Sequence, residues 1–262
     1  MKIIDTHCHL DDDKLYNIAE DVVKRAKEAG VTMRFNTADS LPSFQRVLKL
    51  EEDFKGTCFS VLGIHPEFAC ESSDYFSEAY RIREEKRTQI KAIGEIGLDY
   101  HYSKEEDIIA KQKQRFIEQI RLAKKWNLPI VIHSRDTDYD TFKIIKEEKP
   151  DSLDLHCYSG SSELLDEYLR LPINRHIGIG GVSTFKNAKT IQRVIKEHDV
   201  SLFLSETDCP YLAPTPHRGE TNEPCYLPLI IKQIARLKEK DVNEIADKIY
   251  QNGVLFYGRK QD

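Results

Sequence analysis

The sequence predicts an α/β fold, a (β/α)8 TIM barrel formed as one domain over residues 1–262. Three observations predict it. Short apolar runs alternate with longer amphipathic stretches from Lys2 to Tyr257, the pattern of repeated strand–helix units. The runs are short and β-branched, as in Pro129-Ile130-Val131-Ile132, which suits parallel strands buried on both faces. Histidines and acids recur where these runs end, and the C-terminal ends of barrel strands are where catalytic groups gather.

Taken in order, the strands are expected at 2–7, 32–36, 57–63, 90–95, 129–133, 152–156, 175–179 and 201–206. Helical patterns lie between them near 18–29, 41–52, 74–87, 105–126, 136–148, 161–170 and 188–198, with two more at 226–239 and 241–256. The segment 105–126 has the clearest period, with Ile109, Phe116, Ile120 and Ala123 on one side and Lys111, Lys113 and Lys124 elsewhere. Trp126-Asn127-Leu128-Pro129 ends it and starts the next strand. No linker, low-complexity segment or short repeat divides the chain.

Composition narrows the function classes. With 40% apolar and 32% charged residues, the chain has material for a full core and a polar surface. A net charge of -5 excludes a generic polyanion grip, so any nucleic-acid contact must be local. The six cysteines form no CxxC pair or compact framework, which points to reduced thiols in a cytoplasmic protein. No apolar stretch approaches the roughly 18 residues of a membrane span. Asp5 interrupts the first apolar run at once, so the N-terminus lacks the form of a signal peptide.

The chemistry begins at Asp5-Thr6-His7-Cys8-His9. Side chains alternate along a strand, so His7 and His9 share a face and can bind one divalent ion as a pair, while Cys8 points away. Glu95, His133, His156 and Asp208 follow at the ends of later strands. Taken singly, each could be a hydrogen-bonded core residue; converging at one barrel mouth, the six form a candidate metal centre. Four imidazoles and two carboxylates exceed the three protein ligands usual for one catalytic zinc. Two divalent ions fit the count better, with Glu95 as the bridge. Asp208 is the candidate to hold a water and take its proton.

These motifs also resemble the TatD family of metal-dependent deoxyribonucleases, among the amidohydrolase-like metal barrels. The resemblance rests on Ile4-Asp5-Thr6-His7-Cys8-His9-Leu10, Gly63-Ile64-His65-Pro66 and Gly94-Glu95-Ile96-Gly97-Leu98-Asp99-Tyr100. It continues through Val131-Ile132-His133-Ser134-Arg135, His156-Cys157-Tyr158-Ser159-Gly160 and Glu206-Thr207-Asp208-Cys209-Pro210-Tyr211-Leu212-Ala213-Pro214. Arg218-Gly219-Glu220-Thr221-Asn222-Glu223-Pro224 completes it. The resemblance implies a metal-dependent hydrolase barrel with His7, His9, Glu95, His133, His156 and Asp208 as ligands, Glu95 being shared. Many related barrels bridge their ions with a carboxylated lysine, where this chain offers Glu95. Two positions depart from the family pattern. His101 stands where an aromatic residue is expected and could tune substrate choice. Gln251-Asn252-Gly253 stands where Asn-Thr or Asn-Ala is usual, and is expected to affect packing only.

Other residues around the centre carry substrate-binding expectations. His65 could donate to a phosphate or simply pack its loop. Arg135 could clamp a phosphate oxygen or pair with a nearby acid. Arg218, in the Pro-rich segment 210–224, is expected at the substrate rim. Asp5 is expected to orient His7 from behind. Cys8, Cys157 and Cys209 are expected to pack, with Cys8 and Cys157 turned away by strand parity. Gly178, Gly180 and Gly181 are expected only to let backbones approach.

The favoured substrate is DNA, at single-stranded or frayed ends, because a deep mouth admits a terminus better than the middle of a duplex. The alternatives are a two-metal hydrolase of an ester or amide, such as an aminoacyl-tRNA ester, and a non-catalytic binding barrel. The ligand set alone does not separate ester from phosphodiester cleavage. Imidazole-rich ligands suit zinc, manganese or iron over magnesium, while the resemblance implies magnesium.

Overall fold

The computed structural model describes residues 1–101 and 103–258. Eight parallel strands run in chain order: β1 (Ile3–Cys8), β2 (Val31–Ala38), β3 (Cys58–Leu62), β4 (Ile93–Asp99), β5 (Ile130–Arg135), β6 (Ser152–Leu155), β7 (Asn174–Ile179) and β8 (Phe203–Ser205). The ladders are β1-β2-β3 and β4-β5-β6-β7-β8. Two seams join them. Lys91 N–H donates to Ser60 O at 2.9 Å beside the Val61↔Ala92 bridge. At the other seam Ser205 Oγ donates to Ile4 O at 2.9 Å and Thr6 Oγ1 to Ser205 O at 3.1 Å. The result is the expected (β/α)8 barrel.

The connecting helices are α1 (Ala19–Glu28), α2 (Leu41–Asp53), α3 (Ser73–Glu85), α4 (Glu106–Lys125), α5 (Asp138–Glu148), α6 (Ser162–Leu169) and α7 (Lys189–Glu197). Two more, α8 (Leu227–Lys238) and α9 (Val242–Tyr257), follow β8. Local chemistry starts several of them. Ser40 and Ser43 form a capping box on α2; Ser72 and Ser161 accept from Tyr75 and Leu164 N–H; Asp241 accepts from Asn243 and Glu244 N–H. Such caps satisfy donors the helix leaves free.

The main core lies between strands and helices. It includes Phe44, Val47, Ile93, Ile96, Phe116, Ile120, Ile132, Ile145, Ile177, Val194, Ile231 and Ile249, each fully buried aliphatic side chain there being worth roughly 1.5–3 kcal/mol. A second cluster gathers Ile4, Phe35, Val61, Val131 and Leu204 from five strands and Ala92, just before β4, with Phe256 and Tyr257 of α9. Tyr257 stacks on Phe35 at 3.6 Å between centroids and donates to Thr6 O at 2.8 Å. Asn252 Nδ2 donates to Val200 O and Phe203 O at 2.8 and 2.9 Å, fixing the entry to β8. The departure at 251–253 thus touches packing, as expected. Among the described residues, no helix is long and apolar enough to cross a membrane.

One strand differs from expectation. β4 starts and ends later than 90–95, so Glu95 lies inside it and Asp99 closes it. Gly94 and Gly97 interrupt the apolar signal there, yet Ile96, Gly97, Leu98 and Asp99 pair in register with Ile132, His133, Ser134 and Arg135.

Candidate metal centre

The ends of β1 and β8 are laced together, which brings their ligand candidates face to face. Asp208 N–H donates to His7 O at 3.0 Å and His9 N–H to Cys209 O at 2.8 Å. Asp208 has a φ of 56°, a left-handed conformation that Asp adopts more readily than most residues. His7 Nε2 and His9 Nε2 face each other at 3.0 Å. Asp208 Oδ1 lies 3.8, 3.5 and 3.6 Å from Nε2 of His7, His9 and His156.

Glu95 reaches the same point from β4, and its two oxygens face different partners. Oε2 is 3.4 Å from His7 Nε2 and 3.7 Å from His9 Nε2. Oε1 is 2.8 Å from His133 Nδ1 and 3.9 Å from His156 Nε2. The rings of His7 and His156 stack at 3.5 Å. The structure therefore brings His7, His9, Glu95, His133, His156 and Asp208 together: His7 is fully buried, and the other five line one cleft. Its volume is about 700 Å3.

The donor chemistry fits a divalent cation. Ring nitrogens and carboxylate oxygens of His7, His9 and Glu95 lie within 4.8 Å of one another, as do those of His156, Asp208 and the Cys157 thiol. Two Nε2 atoms turned toward each other and flanked by two carboxylates offer lone pairs that converge on one point once the rings give up their protons.

Electrostatics in the ion-free chain follow from the same crowding. Burial disfavours the charge on Glu95, but His7, His133 and His156 outweigh it and hold the carboxyl well below its usual range. Asp208 is likewise lowered, against burial, by His156, His9 and His7. Burial pulls His133 and His156 down. Asp99 and Glu95 lift the first to about 9, and Glu206 and Asp208 lift the second to about 10. His7 goes the other way, lowered by burial and by His156.

Three site residues have no role in the sequence reading. Glu206, fully buried, receives His156 Nδ1 at 3.0 Å and Cys157 N–H at 2.6 Å. Asp99 Oδ2 lies 3.0 Å from His133 Nε2. Asp11 lines the cleft with its Oδ1 buried and unbonded. Glu206 and Asp99 both stand inside the motifs that carry the family resemblance, and their positions beside strand ends were the available signal.

Other expectations fare unevenly. Cys157 does not turn away: its φ of 45° breaks strand parity and the residue lines the cleft. Cys8 is buried and donates to Asn36 Oδ1 at 3.3 Å. Asp5 holds Thr207, at 2.9 Å through N–H and 2.5 Å through Oγ1, instead of the His7 ring, whose Nδ1 is unbonded. His65 and Arg135 line the cleft. Arg218 lies over the Phe185 ring at 4.1 Å, outside that lining. His101 is half-exposed, with Nδ1 3.6 Å from Asp136 Oδ2. A Cβ at Gly178 would come within 2.2 Å of Glu206 Oε2, and one at Gly181 within 2.0 Å of Leu212 O, so both glycines permit close approach.

Comparison with known proteins identifies the family. A family model described as TatD related DNase matches residues 4–258. An uncharacterized metal-dependent hydrolase of Bacillus subtilis, YabD, is 38% identical over 95% of this chain and 96% of its own. YcfH of Escherichia coli, also described as an uncharacterized metal-dependent hydrolase, is 32% identical over 96% and 94%. The crystal structure of YjjV, a TatD homologue from Escherichia coli, superposes with a TM-score of 0.89 at 28% identity, covering 98% of each chain. With its ligand candidates assembled at the mouth of this barrel, the chain belongs to the TatD family of metal-dependent hydrolases.

Proposed function

We propose that the chain is a deoxyribonuclease that hydrolyses phosphodiester bonds at single-stranded or frayed DNA ends, using two divalent ions. The observation that carries this reading is the two-sided Glu95, with Oε2 toward His7 and His9 and Oε1 toward His133 and His156. A carboxylate so placed suits a bridge between two cations. Magnesium, manganese and zinc are the candidates. Bound there, such ions supply neutralisation of phosphoryl charge and a more acidic water.

The chain's own residues do the rest. Asp208, its carboxyl lowered and its Oδ1 at the centre of three imidazoles, accepts the water's proton. His65 keeps its Nδ1 against Glu67, 3.3 Å from the backbone N and 3.4 Å from Oε2, while its Nε2 lies 4.0 Å from Glu95 Oε1 on the side where a phosphate oxygen would approach. Arg135 lines the cleft together with an acidic wall of Asp11, Asp12, Asp39 and Glu67. That wall repels a long polyanion and favours a strand terminus entering on the Arg135 side.

The same wall supports a second reading, hydrolysis of an ester or amide that carries an ammonium group. Labelled single-stranded and duplex oligonucleotides, assayed beside an aminoacyl ester with and without chelator, separate the two. Chelator-sensitive release of nucleotides from ends is the expected result. Ester cleavage with intact oligonucleotides would replace the nuclease reading by the second. Nuclease activity in a metal-free preparation, verified by elemental analysis, would sink the two-ion mechanism.

A further inference from the structure

Helix α4 carries two buried amides, Gln112 and Gln119, on the face that packs against the barrel. Seven residues, close to two turns, separate them, so they project from one side of the helix. Each amide bonds both backbone groups of a single residue. Gln119 Oε1 accepts from Ile64 N–H at 2.9 Å, and its Nε2 donates to Ile64 O at 3.0 Å. Gln112 Oε1 accepts from Asp99 N–H at 2.9 Å, and its Nε2 donates to Asp99 O at 2.9 Å. Each side chain thus pairs with a strand end as a neighbouring strand would. A third contact stiffens one of them: the buried Arg83 donates to Gln119 Oε1 at 2.8 Å.

The two residues held this way flank the metal centre. Asp99 places its Oδ2 on His133 Nε2 at 3.0 Å, and His133 Nδ1 in turn meets Glu95 at 2.8 Å. Ile64 immediately precedes His65, whose ring lies edge-on to His133 at 4.4 Å between centroids. Donor atoms of His65, Asp99 and His133 fall within 4.8 Å of one another. Leucine would serve packing alone at either position, because a buried amide is costly unless its partners are in place. Here both polar atoms of each amide bond the backbone of one residue, Asp99 at the end of β4 and Ile64 in the segment that leaves β3 toward His65.

We propose that Gln112 and Gln119 are positioning residues, with α4 as the template that sets Asp99 and His65 about His133. Gln112 acts through Asp99 on the orientation of the His133 ring, and Gln119 acts on the loop that carries His65. The proposal rests on reading His133 and Glu95 as metal ligands, and does not depend on which bond the enzyme cleaves.

Cobalt(II) titration of the full chain tests it, because both affinity and the visible absorption of the bound ion respond to ligand orientation. The set is the parent, His133→Ala, Gln112→Met, Gln119→Met and Phe116→Leu. The last variant weakens the same helix face between the two amides and leaves the hydrogen bonds to Ile64 and Asp99 in place. The expected result is a cobalt affinity lowered about threefold to tenfold in Gln112→Met with a changed absorption spectrum, short of or near the roughly 10–100-fold seen when a ligand's direct partner is lost. Gln119→Met should show a smaller loss, and Phe116→Leu none, at a similar drop in melting temperature. If Phe116→Leu loses affinity as Gln112→Met does, the amides only pack, and the proposal fails. Parent-like affinity and spectrum in both Gln variants overturns it while leaving the ligands intact, provided His133→Ala binds weakly. Parent-like binding in His133→Ala overturns the ligand assignment and the proposal with it. Should Gln112→Met fail to fold, Gln112→Glu keeps the acceptor and drops the donor; an unchanged spectrum and affinity there overturns the proposal equally.

Discussion

Glu206 Oε2 lies 3.0 Å from His156 Nδ1, on the opposite edge of the ring from the Nε2 that faces Asp208 at 3.6 Å. The carboxylate holds a proton on Nδ1, so that Nε2, on the cleft side, is the nitrogen that gives up its proton to serve as a ligand when an ion binds. Its other oxygen takes Cys157 N–H at 2.6 Å, so the residue cannot rotate without breaking a second bond. Gly178 supplies the space.

Glu206→Gln should therefore weaken metal binding about 10–100-fold, because the amide's NH2 group must face either the His156 ring or the Cys157 N–H. Gly178→Ala should produce a loss of the same kind from the other side, by pushing the carboxylate off His156. Metal affinity measured by calorimetry checks both. Parent-like affinity in the two variants would show that His156 needs no support from behind.

The acid–base state of the ion-free centre predicts its stability. In the folded chain His133 and His156 hold their protons to about 9 and about 10, against roughly 6.5 when unfolded. A raised folded pKa stabilises below the unfolded value, and that contribution is lost as pH climbs through the folded one. Asp5 and Asp11, raised by burial to about 7, lose theirs at lower pH. The window from 7 to 10 thus belongs to the histidines. The melting temperature of chelated protein should fall steadily from pH 7 to 10, and added divalent ion should flatten that slope by taking over the role of the protons. A chelated protein whose melting temperature is level or rising in this window would contradict the assignment.

How much of this was legible in the sequence depends on the kind of signal. Alternating and 3.6-residue patterns placed every strand and helix, and the recurrence of His and acid at strand ends brought out the six residues that the fold gathers. Glu95 was misplaced within β4 because Gly94 and Gly97 add nothing to an apolar pattern although both are buried there. Parity misled at Cys157 because a left-handed residue ends the alternation that parity assumes. Glu206 and Asp99 stayed unassigned because an acid behind a histidine has no spacing of its own; the pairs are 50 and 34 residues apart. Gln112 and Gln119 drew no assignment, since periodicity counts apolar residues and cannot see an amide that pairs with a backbone end.

Arg218 and Arg135 should separate by substrate length. Arg218 stacks on Phe185 beyond the cleft lining, whereas Arg135 is part of that lining. Arg218→Ala should raise KM several-fold for a long oligonucleotide and leave a dinucleotide unaffected, with kcat unchanged for both. Arg135→Ala should raise KM for both lengths. A fall in kcat alone for Arg218→Ala would remove it from the binding surface.

The two carboxylates at the centre should behave differently when neutralised. Glu95 faces one imidazole pair with each oxygen, so Glu95→Gln replaces half of a symmetric anion with an amide NH2, a poor neighbour for a cation. Metal and activity should go together. Asp208 has only Oδ1 turned to the imidazoles, at 3.5–3.8 Å. Asp208→Asn keeps an oxygen for that side and loses the base, so at least one ion should remain while turnover drops on the order of 10²–10⁴-fold. The folds of both should survive, since each change alters the barrel mouth and leaves the apolar clusters untouched. Metal stoichiometry, thermal unfolding and single-turnover rates, measured side by side, decide the matter. Equal metal loss in the two variants would reduce Asp208 to a ligand. Near-native turnover in Asp208→Asn would remove it from the proton transfer altogether, and the water's proton would then need another acceptor, for which Asp99, 3.0 Å from His133 and lining the same cleft, is the next residue to replace.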